Sequence, residues 1–342
     1  MVLCVKVPLK KAQDVKRFLI DNDLFNPDYI LKKDGEYILF PISKKTGIQK
    51  RFSFVTFPDI RCMNSMRKKQ TLKSEISKVL TKSEREVLKR AFDVTGSIAI
   101  IEIPEGLEKK EILIAESLLK LHKNISTVLK KVGIHGTEFR TQKMKYLSGR
   151  KTKEALYVEH GVRLKLDVEK VYFSPRLSTE RKRIADQVKP GESVLIMFSG
   201  CAPYPCVIAR RTKAKDITGI ELNPYGHKYG LENVKLNKIS NVTLINGDVK
   251  EVVQKLKQKF DRIAMPLPKS AGDFLSSALA VARKGTIIHF YAFEDEGNFT
   301  AAHERIKEAC KKNKMKCKIL KTVKCGQHSP SNYRICVDFK VL

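Results

Sequence analysis

Ser193-Val194-Leu195-Ile196-Met197-Phe198-Ser199-Gly200-Cys201-Ala202-Pro203 is an apolar run that breaks into a small-residue turn, and a short helical pattern follows it. Downstream, Asp216–Glu221 reads as a strand and Pro224–Asn237 as a helix with proline in its first turn. Val242–Asn246 is a strand ending at Gly247-Asp248, with a helix over Val249–Lys257. Phe260–Met265 is a strand ending at Pro266-Leu267-Pro268-Lys269. Helix Ala271–Arg283, strand Thr286–Phe293 and helix Phe299–Lys312 complete the alternation. Strand alternating with helix predicts a parallel, doubly wound α/β sheet. Lys316–Lys324 and Tyr333–Val341 are two strands with no helix between them, which predicts a hairpin and one antiparallel edge strand.

Upstream the grammar changes. Residues 1–65 read strand, helix, strand, strand: Leu3–Val7, Lys11–Asn22, Tyr37–Phe40 and Phe52–Val55, a small α+β module. Polar, basic Arg61–Lys73 makes a linker. Residues 74–165 form a second α+β regime, with a helix at Ser83–Arg90, a strand over Gly96–Pro104 and a long helix at Glu108–Lys131. Arg140–Lys153 carries six Lys or Arg and reads as an RNA-facing loop, the plainer alternative being a solvated one. The doubly wound domain occupies 166–342.

The 342 residues carry 67 Lys plus Arg against 37 Asp plus Glu, a net charge of +30. Such a charge costs self-repulsion, and an anionic partner offsets it. Nucleic acid is the expected partner, because phosphate neutralisation releases counterions. A Lys-rich thermophile surface would ordinarily raise Glu alongside Lys, which does not happen here. With 42% hydrophobic residues the chain can bury real cores, so wholesale disorder is excluded. No window is long and apolar enough for a membrane helix, and Met1–Lys6 lacks the features of a signal peptide. A cytoplasmic protein, with no membrane association and no indicated protein partner beyond a monomer, is expected. The eight cysteines include no CxxC pair and the seven histidines show no metal spacing, so no metal site is expected. Cys310 and Cys317, seven apart at a helix end, are placed to meet.

Doubly wound sheets bind ligands at the carboxyl ends of their strands. A dinucleotide needs GxGxxG after the first strand, but here Gly200 is followed by Ala202 and Pro205 at the later glycine places. GxxxxGK[ST] is absent as well. S-adenosyl-L-methionine carries no phosphate and tolerates a sparser turn. It needs an acid at the end of the second strand for its ribose diol, and Glu221 sits there; two carboxylate oxygens match two hydroxyls. Asp248, after the third strand, is placed for the adenine amine. Each acid alone is equally well read as a cap of the helix that follows it.

Val171-Tyr172-Phe173-Ser174-Pro175-Arg176-Leu177-Ser178-Thr179-Glu180-Arg181 resembles the segment that opens the catalytic domain of archaeal tRNA (guanine(37)-N1)-methyltransferases. Glu138-Phe139-Arg140 resembles their loop motif, and Gly219–Pro224 and Gly247–Val249 fit as well. The resemblance runs over the whole chain. It implies a class I, Rossmann-like, seven-stranded methyltransferase sheet preceded by two small α+β modules. Ile196 stands where most of that family has Asp, and Pro266-Leu267-Pro268-Lys269 where most has an Asn-Leu/Pro-Pro motif. Both departures, with Pro203-Tyr204-Pro205, are similar to the archaeal subgroup that also acts in wyosine synthesis. Some members of that subgroup methylate both guanosine N1 and carbon 7 of 4-demethylwyosine, and some only the second.

The resemblance implies that Glu180 takes the proton from guanine N1 and that Arg140 stabilises charge growing on O6. A carboxylate can act as base and a fixed guanidinium as oxyanion partner. Read from the residues alone, Glu180 is equally a helix-start acid and Arg140 a phosphate contact. Phe173 would stack on a splayed-out base, with Pro268 beside it, although core packing is an equal reading for Phe173. Arg181, Phe198, Glu221, Leu222, Asp248, Val249 and Pro266 are the expected cofactor contacts. Two other functions share this fold: transfer of the aminocarboxypropyl arm of the same cofactor onto the wyosine precursor, and non-catalytic RNA binding on a decayed scaffold.

Overall fold

The computed structural model describes residues 3–26, 29, 31–58, 80–88, 92–133, 139–327, 329 and 331–342. The Arg61–Lys73 linker and Glu138 of the loop motif lie outside them. The chain divides into two compact units, Met1–Glu75 and Ile76–Leu342.

In the first unit, β1 (Leu3–Pro8), β2 (Lys32–Asp34) and β3 (Tyr37–Ile42) form an antiparallel sheet of order β1-β3-β2. Helix α1 (Ala12–Asp21) buries Val15 and Leu19 in a core with Val5, Val7, Phe40 and Ile42. The strand expected at Phe52–Val55 does not form. A short helix α2 (Ile48–Arg51) runs straight into it, the Phe52 ring turns onto Phe18 at 5.3 Å, and only Thr56 bridges to Lys6. Alternating phenylalanines mimic a strand, yet Phe54 stays 40% exposed, so one face was never there to bury.

The second unit opens with α3 (Lys82–Val87), capped by a Thr81–Glu84 capping box. Next come β4 (Asp93–Thr95) and β5 (Ile98–Ile101), helix α4 (Glu111–Leu121), β6 (Thr127–Val132) and β7 (Lys143–Gly149), in a sheet of order β4-β5-β6-β7. Two expectations are corrected here. The helix expected over Glu108–Lys131 stops at Leu121, and its second half is strand β6. Ile125, Thr127, Val128 and Val132 are β-branched, and Thr127, Val128 and Leu129 fill the sheet core. The basic Arg140–Lys153 loop is largely strand β7, an edge strand whose exposed Lys143 and Lys145 alternate with Met144 and Tyr146. Lysines on an edge strand discourage pairing with another chain. A hairpin, β8 (Glu154–Glu159) and β9 (Val162–Asp167), follows.

The rest is the doubly wound sheet. Its elements are α5 (Ser178–Ala185), β10 (Ser193–Met197), α6 (Pro203–Arg211), β11 (Asp216–Glu221), α7 (Pro224–Leu236), β12 (Val242–Asn246), α8 (Val249–Lys255) and β13 (Phe260–Met265). Then follow α9 (Leu275–Ala280), β14 (Ala282–Asp295), α10 (Thr300–Lys312), β15 (Cys317–Gln327) and β16 (Asn332–Val341). The order is β12-β11-β10-β13-β14-β16-β15. Strands β10 to β14 pair in parallel, and every residue of β10 is buried, as a strand covered by helices on both faces requires. The antiparallel strand is not at the edge: β16 slots between β14 and β15 and runs against both. The order reverses at β10, which opens a crevice at the carboxyl ends of β10 and β11. Among the described residues no helix is long and apolar enough to cross a membrane.

Candidate functional site

The turn after β10 is held in a costly conformation. Phe198, Gly200 and Ala202 all have positive φ, of 62°, 57° and 62°. For Phe and Ala the left-handed region costs about 1–2 kcal/mol each, so the surroundings must impose it. They do: Ser199 N–H donates to the Ile220 carbonyl at 2.8 Å, and Gly200 N–H donates to Glu221 Oε2 at 2.6 Å. Helix α7 closes in from the other side. A Cβ on Gly226 would sit 3.1 Å from Glu221 Cγ, so the helix approaches the carboxylate only because that residue is glycine.

Glu221 thus sits at the end of β11 with backbone partners alone, Gly200 N–H on one oxygen and Asn223 N–H on the other at 2.8 Å. Burial pushes its pKa up, and the N–H groups of Asn223, Gly200 and Leu222 pull it partly back. No cation pairs with it among the described residues. Each carboxylate oxygen keeps a lone pair free, as a vicinal diol requires. Around it lies a cavity of about 410 Å³, bounded by Phe198, Leu222, Val249, Pro266 and Phe274, with Asp248 and Arg181 also on its wall. Asp248 caps α8 through Lys250 N–H at 2.6 Å and faces the cavity as well. An apolar slot with one acid at a desolvated strand end fits a nucleoside, and so fits S-adenosylmethionine.

A second cavity of about 520 Å³ shares a wall with the first, built from Arg140, Val171, Tyr172, Phe173, Ser174 and Leu177. Phe173 stands on that wall with its ring 5.0 Å from Tyr157 and the Arg181 guanidinium 5.0 Å from its centroid. Arg181 is itself fixed by Glu159, with Nη2 donating to Oε2 at 2.7 Å, both side chains fully buried. Arg140 has a positive φ of 55°, faces both cavities and has no carboxylate within ion-pair distance among the described residues. Burial lowers its pKa from the usual value, with Arg334 adding to the shift.

Glu180 and Pro268 line neither cavity. The Glu180 carboxylate is 5% exposed and takes Nε and Nη2 of Arg183 at 2.7 and 2.8 Å and the Tyr291 hydroxyl at 2.6 Å. It lies close behind the second cavity: the Cys325 thiol, which lines that cavity and donates to the Val323 carbonyl at 3.5 Å, is near enough to Glu180 for the two to interact. Burial pushes the Cys325 thiol up, so it stays protonated. Tyr204, in the cofactor cavity, joins the same group through its hydroxyl, 3.2 Å from that of Tyr291.

Behind Glu180 runs a buried network that the sequence did not reveal. Arg183 spans to Asp338 at 2.6 Å, Asp338 accepts from His289 Nδ1 at 2.7 Å, and His289 Nε2 accepts from Arg262 at 2.9 Å. Arg262 ends on Glu192 at 2.8 Å. Burial lowers the pKa of His289, and hydrogen bonds from His289 and Arg183 outweigh burial to hold Asp338 well below the carboxylate range. His289, Cys336 and Asp338 could geometrically hold a metal ion, but guanidinium groups on Asp338 and beside His289 supply the positive charge there already. Only the Glu180–Arg183 spacing, three apart on a helix, was visible beforehand. Cys310 and Cys317 do meet, as free thiols in hydrogen-bonding contact.

A parallel sheet reversing at β10, an inserted antiparallel strand and a desolvated acid at the second strand define a Rossmann-like methyltransferase domain. Residues 155–320 match the TRM5/TYW2 methyltransferase domain, 72–152 the TYW2 N-terminal domain and 4–48 the tRNA methyltransferase 5 N-terminal domain. The chain is 37% identical to the tRNA (guanine(37)-N(1))-methyltransferase Trm5b of Pyrococcus abyssi, over all of this chain and 99% of that one. It is 38% identical, over 60% of this chain and 84% of the other, to the tRNA (guanine(37)-N(1))/4-demethylwyosine(37)-methyltransferase Taw22 of Nanoarchaeum equitans. The crystal structure of Pyrococcus abyssi Trm5b superposes with a TM-score of 0.77 at 36% identity, covering 100% and 99% of the chains. A complex of aTrm5 with tRNALeu superposes at 0.70 and 29% identity, covering 99% of each. The chain belongs to the TRM5/TYW2 methyltransferase family.

Proposed function

We propose that this protein methylates N1 of guanosine 37 in tRNA from S-adenosylmethionine, with carbon 7 of 4-demethylwyosine as a second acceptor. The observation that carries this reading is the shared wall. A nucleoside-sized cavity with an unpaired acid opens onto a larger cationic one, and Phe173 and Arg140 stand between them. The relatives support it, since Trm5b is named for the first activity and Taw22 for both. The bound tRNA of aTrm5 supports tRNA as the substrate, and the absence of a spanning helix among the described residues is compatible with work in the cytoplasm.

When bound, S-adenosylmethionine supplies an electrophilic methyl group on its sulfonium. Glu221 would hold the ribose hydroxyls and Asp248 the adenine amine, with Phe198, Leu222, Val249 and Pro266 excluding water from the ring. Arg181, locked on Glu159, would set the tilt of Phe173, which stacks on the extruded base. Arg140 would meet the negative charge that grows on O6, and it does so better for being half-desolvated and unpaired. Guanine N1 becomes a nucleophile as its proton leaves, and Glu180 would receive that proton past Cys325.

The test is mass spectrometry of nucleosides after incubating enzyme and cofactor with a guanosine-37 transcript and, separately, a 4-demethylwyosine tRNA. One methyl on each is expected. A methyl on the second alone would restrict the enzyme to the tricycle. An aminocarboxypropyl group would make it the other transferase of this fold, and no product with either RNA would leave a binding protein.

A further inference from the structure

The second cavity is unbalanced in charge. Lys131, Arg140, Arg176 and Arg334 line it, against the single carboxylate of Asp93. Two of the cations are satisfied, Arg176 by Asp93 at 2.7 Å and Lys131 by Glu102 at 3.2 Å. Among the described residues neither Arg140 nor Arg334 has a carboxylate partner. Arg334 comes from β16, the strand inserted into the sheet, and none of its nitrogens meets a carboxylate among the described residues. Its guanidinium lies over the Phe293 ring at 5.4 Å and reaches the Tyr172 hydroxyl through Nη2 at 3.4 Å, while its Nε is buried with no hydrogen-bond partner. A stacked, half-buried guanidinium whose Nε is sealed off without an acceptor is a costly arrangement for structure alone. It sits close enough to Arg140 for the two charges to oppose each other.

An anion between or beside them would relieve both. A second unmet group narrows its chemistry. Gln142 donates through Nε2 to the Gly133 carbonyl at 2.7 Å, which leaves its buried Oε1 without a donor among the described residues. Inorganic phosphate answers an arginine, whereas a ribonucleotide offers both a phosphate for the guanidinium and a 2′-hydroxyl for the amide oxygen.

We propose that Arg334 anchors a backbone phosphate flanking the target nucleotide, so that the base of that nucleotide faces Arg140 across the shared wall. This rests on the reading of the protein as a tRNA methyltransferase and adds a substrate-binding residue to it. Anchoring the phosphate fixes the backbone, and the base is then presented rather than searched for.

The experiment is a cycle between protein and RNA. An anticodon stem-loop is made with a neutral methylphosphonate at each phosphate from 36 to 38 in turn, and its binding to wild type and to Arg334→Gln is measured in the presence of cofactor. Arg334→Gln should bind the unmodified RNA about 10- to 100-fold more weakly, the usual worth of a charge-assisted hydrogen bond. At one position the methylphosphonate should weaken wild type by a similar factor and the variant not at all. The slope of log affinity against log salt should fall by about 0.7 in the variant. Cofactor affinity and melting temperature should stay put, and Arg334→Lys should recover part of the binding. Losses that multiply at every position would overturn the anchor, as would a variant impaired only in rate. The RNA-side substitutions test wild type alone, so a variant that misfolds leaves the question answerable. If wild type binds but methylates none of the unmodified RNA, the functional reading fails instead.

Discussion

Two carboxylates buried within the same α/β domain have been given opposite surroundings. Glu221, at the end of β11, meets backbone N–H groups only, and burial raises its pKa. Glu180, on α5, is enclosed by a bidentate arginine and a tyrosine hydroxyl, and the arginine passes the charge on to Asp338 and His289. The difference is one of completion. A buried charge held by dipoles alone still has acceptor capacity to offer a ligand, whereas one locked to guanidinium groups spends that capacity on the fold. Glu180 is proposed to do both, and that is where the comparison can be broken.

The largest effect should come from Glu180→Gln, which keeps size and acceptor reach but cannot take a proton. Single-turnover methylation of guanosine-37 tRNA should slow by roughly 100- to 10,000-fold, with cofactor and RNA affinity nearly unchanged. A rate within about threefold of wild type, together with a lowered melting point, would assign Glu180 wholly to the buried network.

Asp338→Ala should sharpen the other half. It takes one of two carboxylates from Arg183 and the carboxylate partner from buried His289 Nδ1, and removing one partner of a buried ion pair costs about 3–5 kcal/mol. Urea denaturation should register that loss. A change below about 1 kcal/mol, the range of exposed pairs, would mean that the network is loosely held.

Glu221→Ala should act chiefly on binding, weakening S-adenosylmethionine by roughly 10- to 150-fold, or about 1.5–3 kcal/mol, with a smaller cost to stability than Asp338→Ala because it frees backbone N–H groups rather than buried charges. Because the Glu221 pKa is raised, wild-type affinity should fall on acidification at a higher pH than an ordinary glutamate would dictate. Calorimetry over a pH series should show this fall in wild type and a flat profile in Glu221→Gln. An identical profile in both would detach Glu221 from the ribose.

The smallest effect belongs to His289. Its pKa is lowered in the folded state, so the unfolded chain binds its proton first. The stability it confers is whole above the unfolded value of about 6.5 and is lost as pH falls from there towards the lowered folded value, by at most about 1.4 kcal/mol per unit. Denaturation midpoints between pH 7 and 5 should carry this slope, and His289→Gln should flatten it.

The sequence reads most clearly where strand and helix alternate. Asp216–Glu221, Val242–Asn246 and Phe260–Met265 have the very bounds expected of them, although the first and last are largely buried and Val242–Asn246 is a half-exposed edge strand, because turn residues close each one. Where burial is one-sided, local pattern misleads. Glu108–Lys131 reads as one helix, although its second half is a β-branched strand, and the Lys-rich edge strand β7 reads as a loop. The acid and turn of the cofactor cavity are legible because they lie at strand ends in sequence order. Arg334, Asp338 and Tyr291 are not, since β14 and β16 carry them to Tyr172, Arg183 and Glu180 across 162, 155 and 111 positions. No spacing rule spans such separations.

The place of β16 also constrains how the domain can be made. It is the last strand of the sheet in sequence, yet it lies inside it, so β14 and β15 cannot be neighbours while a ribosome is still emitting the segment after Lys324. Until Asn332–Val341 emerges, both strands present open edges, and an open edge invites a foreign strand. The same late segment delivers Asp338, the counter-charge for Arg183 and His289. Nascent chains of this protein therefore pass through a period in which the sheet has a vacant lane and Arg183 has only one of its two acids. Emergence of Asn332–Val341, rather than any earlier step of synthesis, is the moment at which the sheet can close.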